Sequence, residues 1–312
     1  GTLRQLLSTG VDRRWLFWGK SLALSTVVAG LLVPAALVII AVLWSLGGGD
    51  GSVVSRLSIL ALGYGIYFSI FGALTLFASA YARSSRTALV LMVAVWGVFC
   101  LIMPRLATEV AAMAQPLSSQ AEFARAVGIS LEKGIDGKAV RETAVDAMVK
   151  DILAEQGISN AGFMVDPAAS RGAELQAEAR WEDMVFDHHV GQLDEAMAKQ
   201  ESWVSQLGLV SPFVAMRSLS AGLCGTDYAH HRHFTDYAET WRKAFVGTLN
   251  RAFAKESGAD GWSYKAGPEL WKQAPPFEYA APGAAYALQV HAQSIAHLLL
   301  WLVLAIGLAL WA

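Results

Sequence analysis

Charge is what this sequence has least of. Asp, Glu, Lys and Arg make up 16% of its 312 residues and hydrophobic types 54%, where soluble domains carry about 25% charged residues. The shortage is uneven: residues 15–104 and 292–312 hold few charges, whereas 105–291 have the composition of a soluble protein. Cysteine is also scarce. Cys100 and Cys224 lie far apart without metal-type spacing, which gives no support to a disulfide framework and leaves the redox compartment unspecified. No Lys/Arg-rich tract is present and the formal net charge is -2, which argues against a nucleic-acid partner. The chain lacks G-x-x-x-x-G-K-[ST], G-x-S-x-G and H-E-x-x-H, so it has no phosphate-binding loop, nucleophile elbow or zinc-protease helix. Acidic pairs such as Glu182-Asp183 and Asp194-Glu195 fit solvated helix faces. No catalytic residue and no cofactor of its own are therefore expected, and the chain is not expected to be an enzyme.

What is present is lipid-compatible sequence. A helix rises 1.5 Å per residue, so roughly 20 apolar residues cross a hydrocarbon core of about 30 Å. Four stretches qualify: about Ser21 to Leu46, interrupted by Pro34; Leu57–Ala82; the shorter Ala88–Met103, closed by Pro104; and about Ala292 to the end. Arg4, Arg13, Arg14 and Lys20 precede the first span, and Arg83 and Arg86 fill the turn between the second and third. By the positive-inside rule these two segments are cytoplasmic, and 105–291 lie on the other side. The fold class is therefore mainly α, a polytopic helical membrane protein with a large helical extracytoplasmic domain. Its segments are 1–20 for entry, 21–104 for three spans, 105–291 for the outer domain and 292–312 for the last span. Gly63, Gly65 and Gly72 in the second span let helices approach closely, either within the chain or at a subunit interface. Neither end has the form of a natural terminus, and the sequence is expected to be part of a longer chain.

Within 105–291, helices are expected near 106–114, 118–133, 138–156 and 168–207. Phe186, Val190, Leu193, Met197, Val204 and Leu207 would form the buried seam of the longest one. Thr226 or Asp227 would cap a further helix with Phe234, Ala238, Trp241, Phe245 and Leu249 as its buried stripe. Residues 257–286, rich in Pro, Gly and aromatics, predict an extended packed strap with room for a strand or two. His230 and His233, at i, i+3, share a helix face, and Asp227 could add an oxygen ligand to a transition-metal site. The simpler arrangement has these histidines hydrogen-bonded to Asp227, Thr226 or Tyr228 at a helix N-terminus. Adjacent His188 and His189 point about 100° apart and do not share one ion easily. His297, just inside the fourth span, marks either a polar pathway or a headgroup anchor.

The opening stretch GTLRQLLSTGVDRRWLFWGK places Leu3, Leu6 and Leu7 on one face of a short amphipathic helix, followed by a basic pair and interfacial Trp15 and Trp18. It resembles the cytoplasmic loop of ABC-2-type transporter permeases through Gly1, Thr2, Leu3, Leu6, Leu7, Ser8, Arg13, Arg14, Gly19 and Lys20. The segments Ser211 to Phe245 and Glu269 to Pro282 resemble a particular family of such permeases, whose members insert a helical extracytoplasmic domain of unknown function before the last span. The resemblance implies an ABC permease subunit of a bacterial inner membrane. It would pair with a second permease chain and with an ABC ATPase subunit that binds ATP and magnesium. Leu3, Arg4, Leu6, Leu7, Arg13 and Arg14 would couple to that ATPase, and a periplasmic partner could meet the outer domain. The alternative is a membrane-anchored assembly factor that captures a metal or a protein and transports nothing.

Overall fold

The computed structural model describes residues 13–45, 51–137, 140–155 and 167–311, and these are predominantly helical, with no strand among them. Among the described residues four helices are long and apolar enough to cross a membrane, so the chain is a multi-pass membrane protein by length and composition. The first, α1, runs Arg13–Ser45 with Pro34 inside it, and α2 runs Gly51–Tyr81. The third span is α3 (Ser85–Gly97), a π-helical turn (Val98–Ile102) and α4 (Met103–Ala114) in unbroken succession. Ser84 caps α3 by accepting from the Thr87 N–H at 3.2 Å. The last span, α12, is Ala292–Trp311.

The third span is longer than its sequence suggested, and Pro104 does not close it. Proline is tolerated in the first turn of a helix because its missing N–H has no partner there in any case. Pro104 occupies that position in α4. In π register a carbonyl accepts from the residue five positions on, and the Met103 N–H accordingly donates to the Val98 carbonyl. The next carbonyl, Phe99, would need an N–H from residue 104, which is proline. The Ser211 hydroxyl fills the gap, donating to the Phe99 carbonyl at 3.0 Å. Ser211 is fully buried, and its oxygen also caps α8 (Pro212–Cys224) through the Val214 N–H at 3.4 Å.

Residues 105–291 are shared between two compact units. One takes the described residues up to Gln115 together with Lys199–His231 and Ala281 onward, and the other takes Pro116–Ala198 and Arg232–Ala280. In the first unit, α8 packs with α2, α12 and the short α11 (Ala284–Val290). Ile70, Ala73, Ala215, Met216, Leu219, Leu223, Ala287 and Leu298 form its core. Of the three span glycines, Gly63 faces Met216, whose Cε lies 3.2 Å from where a Cβ would sit. Gly72 faces Leu24, whose Cδ2 lies 2.4 Å from the corresponding point. Both serve packing within the chain, and Gly65 faces open space.

The second unit holds α5 (Gln120–Lys133), α6 (Arg141–Glu155), the first part of α7 (Pro167–Leu207) and α9 (Tyr228–Glu256) from Arg232. Ser119 and Glu122 form a capping box that starts α5. The seam of α7 is not the one expected. Phe186 and Val190 are exposed, and the buried face is Ala168, Gly172, Ala173, Ala177, Trp181 and Val185. Small residues win because they bring backbones together: a Cβ on Gly172 would lie 2.1 Å from that of Ala254. The proline-rich strap contributes no strand. It consists of a 3₁₀ segment (Gly258–Ser263), the short α10 (Glu269–Gln273) and extended backbone. It is tied to α9 by Trp241 Nε1 donating to the Pro275 carbonyl (2.8 Å) and by the Tyr237 hydroxyl donating to the Glu278 carbonyl (2.6 Å). Phe277 and Tyr279 meet Phe234 and Tyr237 edge to face, so the expected stripe of α9 is only partly covered, with Phe234 still exposed.

Candidate functional site

Four helix ends of the first unit meet around one buried carboxylate. Asp227 is the residue before α9, and its side chain accepts from the His230 backbone N–H at 3.2 Å, a capping bond that satisfies a free donor of the first turn. The same oxygen, Oδ1, is bonded to Nδ1 of His230. The other, Oδ2, is bonded to Nε2 of His291 at 2.7 Å. His291 joins α11 to α12. Asp227, His230 and His291 are all less than a tenth exposed.

Arg56, in the second turn of α2, completes the cluster. Its Nη1 donates to the Leu223 carbonyl at 2.9 Å and more weakly to Gly222 at 3.5 Å, the last turn of α8. A cation placed on free carbonyls at a helix C-terminus is favourable by up to about 2 kcal/mol when partly buried. Nη2 donates to the Pro282 carbonyl just before α11 and lies 3.5 Å from Nε2 of His230. A guanidinium only donates, so Nε2 of His230 is the acceptor and its proton sits on Nδ1, directed at Asp227. Burial alone would raise the Asp227 carboxyl, but hydrogen bonds from His291 and His230 outweigh it and hold the group at about 2.

The backbone is shaped to admit these side chains. Gly225 ends α8 with φ 69°, a left-handed conformation that glycine adopts without a Cβ clash. Gly222 is required for a different reason: a Cβ there would lie 2.1 Å from Cδ2 and 2.3 Å from Nε2 of His291. Gly222→Ala is therefore expected to expel the His291 ring from Asp227 and to cost about 1–3 kcal/mol by overpacking. A lower unfolding temperature, with a changed His291 imidazole resonance, checks this.

The sequence expected Asp227, His230 and His233 together, and only the first two meet. His233 lies in the second unit with Nδ1 3.1 Å from the Tyr279 hydroxyl. His291, 64 residues beyond Asp227, takes the third place. Among the described residues no group of three His, Cys, Asp or Glu side chains is arranged to hold a metal ion. His188 and His189 bond to different partners, Gln192 (3.0 Å) and Ser130 (2.9 Å), with their rings edge to face at 5.3 Å. Burial, with a smaller contribution from His188, lowers the His189 pKa. His297 packs beside Gly208, apart from the Asp227 cluster's hydrogen bonds. Leu3, Arg4, Leu6 and Leu7 lie outside the described residues, and Arg13 and Arg14 open α1. Arg56 and His291 were not anticipated. Each stands alone in its segment, and no spacing or composition signal ties either to Asp227.

A family model described as a domain of unknown function (DUF3526) matches residues 160–280. That stretch includes Asp227 and His230 and stops short of both Arg56 and His291. No curated protein and no solved structure matches the chain.

Proposed function

We propose that this chain is the membrane-spanning permease subunit of an ABC transporter, in which ATP hydrolysis on a separate subunit moves the spans and, through them, α9. The observation that carries this reading is the buried joint of Arg56, Asp227, His230 and His291. Arg56 belongs to a span, and its guanidinium holds the end of α8, the lead into α11 and, through His230, the first turn of α9. A rigid tie of this kind passes displacement of α2 into α9, where loose packing would absorb it. A second observation supports a multi-subunit assembly. The most apolar windows of α1 and of the third span bury none of their residues inside the chain, which leaves both free to meet lipid or another membrane chain. The start of the sequence, whose Leu3, Leu6 and Leu7 follow an i, i+3, i+4 spacing, would supply the segment that docks in a groove of the ATPase from the cytoplasm. The bulk of 105–291 would then face the periplasm.

The test is purification from the native host in mild detergent. The expected result is a co-purifying ATPase with vanadate-sensitive hydrolysis that is lost on Leu3→Asp or Leu6→Asp. Hydrolysis indifferent to both changes contradicts the proposal. A stoichiometric metal held by the full chain and lost on His230→Ala would instead point to an assembly factor.

A further inference from the structure

The last span carries polar atoms that the chain itself does not satisfy. Ser294 Oγ, His297 Nδ1 and Trp301 Nε1 are buried and have no hydrogen-bond partner among the described residues. Of the five such side-chain atoms among the described residues, these three lie on this one helix. They stand at i, i+3 and i+7 on α12, in one row on one face. The row covers about 10 Å of the helix axis at 1.5 Å per residue. His291, bonded to Asp227, lies one turn before Ser294 on the same face.

Burying an unpaired polar group is costly, and hydrocarbon offers no partner of its own. Apolar side chains would fill these positions at lower cost, so the row needs another explanation. The surroundings of His297 supply one. Gly208, just beyond α7, has no side chain where His297 packs. A Cβ there would lie 2.9 Å from His297 Nδ1, 3.0 Å from the Ser205 carbonyl oxygen and 3.2 Å from the Ala215 Cβ. Nδ1 and that carbonyl oxygen are therefore no more than about 6 Å apart, the reach of one water making two hydrogen bonds of about 2.9 Å. The Ser205 carbonyl accepts from the Gly208 N–H at 3.1 Å and keeps a second lone pair. Along the row, residues three and four apart have Cβ atoms about 5–6 Å from each other, again one water's reach. Each water would meet two or more polar groups, as a buried water requires.

We propose that this face of α12 binds a file of water molecules that bridges His297 Nδ1 to the Ser205 carbonyl and runs on to Ser294 Oγ and Trp301 Nε1. The sequence leaves two roles for His297, a polar pathway or a headgroup anchor, and the burial of Nδ1 selects the first. The file starts one turn from the His291–Asp227 bond and ends at Trp301. An indole N–H donates and does not accept, so it fixes the last water and passes no proton beyond it. The Phe99 ring meets Trp301 edge to face at 5.2 Å and belongs to the π-helical turn, a distortion frequent at functional sites. The site does not depend on the transport proposal, because it follows from buried atoms of a single chain.

The experiment uses the full chain in lipid nanodiscs with isotope-labelled tryptophan, read by NMR. Trp301→Phe identifies the Trp301 indole signal by its loss. In wild type that N–H is expected to show a cross-peak to water protons. His297→Leu removes the middle partner, and Gly208→Ala puts a methyl group on the bridge. Each should weaken the cross-peak about fivefold or more at unchanged helicity, because a water left with one partner is not held. Whichever of the two variants folds gives the answer. His297→Asn keeps a polar atom near the Nδ1 position and should retain the cross-peak. The proposal is overturned if wild type shows no water cross-peak, or if the cross-peak survives undiminished in His297→Leu and Gly208→Ala. A loss in His297→Asn as complete as in His297→Leu overturns the role given to Nδ1.

Discussion

Asp227→Asn is expected to lower the unfolding temperature by roughly 5–10 °C, as a loss of about 3 kcal/mol would in a chain of this size. The carboxylate accepts from the His230 ring, the His230 backbone and the His291 ring. An asparagine of the same shape offers one acceptor oxygen and turns an NH₂ toward the remaining imidazole N–H, so one buried donor is left facing another. Hydrogen bonds to a charged group contribute about 1.5–3 kcal/mol each, and stranding a buried partner adds its desolvation. The pH dependence has a definite sign. Folding holds the Asp227 pKa at about 2, below the unfolded carboxylate's value near 3.9. The stabilisation is therefore complete above about pH 4 and is lost as pH falls toward 2, by about 2 kcal/mol for this group. The difference in stability between wild type and Asp227→Asn should shrink over that window in denaturant titrations. A difference that stays constant from pH 5 to 2 would refute the role given to the ionised carboxylate. Under the proposed permease function, the same substitution should weaken transport more than hydrolysis, because it loosens the joint and leaves the ATPase untouched.

The second large effect concerns the π-helical turn of the third span. Ser211→Ala removes both the donor to the Phe99 carbonyl and the cap of α8. The cap is worth about 1 kcal/mol. The stranded carbonyl costs about 1–3 kcal/mol. Together these give a loss of about 2–4 kcal/mol. The Phe99 carbonyl needs Ser211 because residue 104 has no N–H, so Pro104→Ala returns a backbone donor. In that background Ser211→Ala should cost little more than the cap. A double-mutant cycle on thermal unfolding is expected to give a coupling of about 1–2 kcal/mol, well above the few tenths typical of independent sites. Additive effects would mean that the carbonyl is satisfied some other way.

The parts legible in the sequence are those set by local pattern. Runs of some 20 apolar residues located the four spans, and Gly and Pro breaks placed α5, α6 and α7 within a few residues of their observed limits. Asp227 as a helix cap was also readable, since a short acceptor before a helical run has few other uses. What failed depended on partners distant in sequence. The seam of α7 was assigned to its large apolar residues, but close packing selected Gly172 against Ala254 of α9, and Ala173 and Ala177 against Ile152 and Leu153 of α6, small residues that leave little trace in a hydrophobic pattern. Pro104 suggested a terminus, and the carbonyl that lets the helix continue is satisfied from Ser211, 112 positions away from Phe99. The histidine pattern at 230 and 233 suggested one site, yet their neighbours draw them to Asp227 and Tyr279 respectively. His291 and Arg56 enter the cluster only because α2, α8, α9 and α11 converge, and that convergence is tertiary.

Transverse topology tests the account most directly. With Cys100 and Cys224 replaced by serine, single cysteines at Ser84 and at Glu182 would be exposed in intact cells to a thiol reagent that does not cross membranes. Labelling at 182 with protection at 84 until the cells are lysed is the predicted result. Labelling at 84 with protection at 182 would contradict the orientation on which the proposed ATP-driven coupling rests.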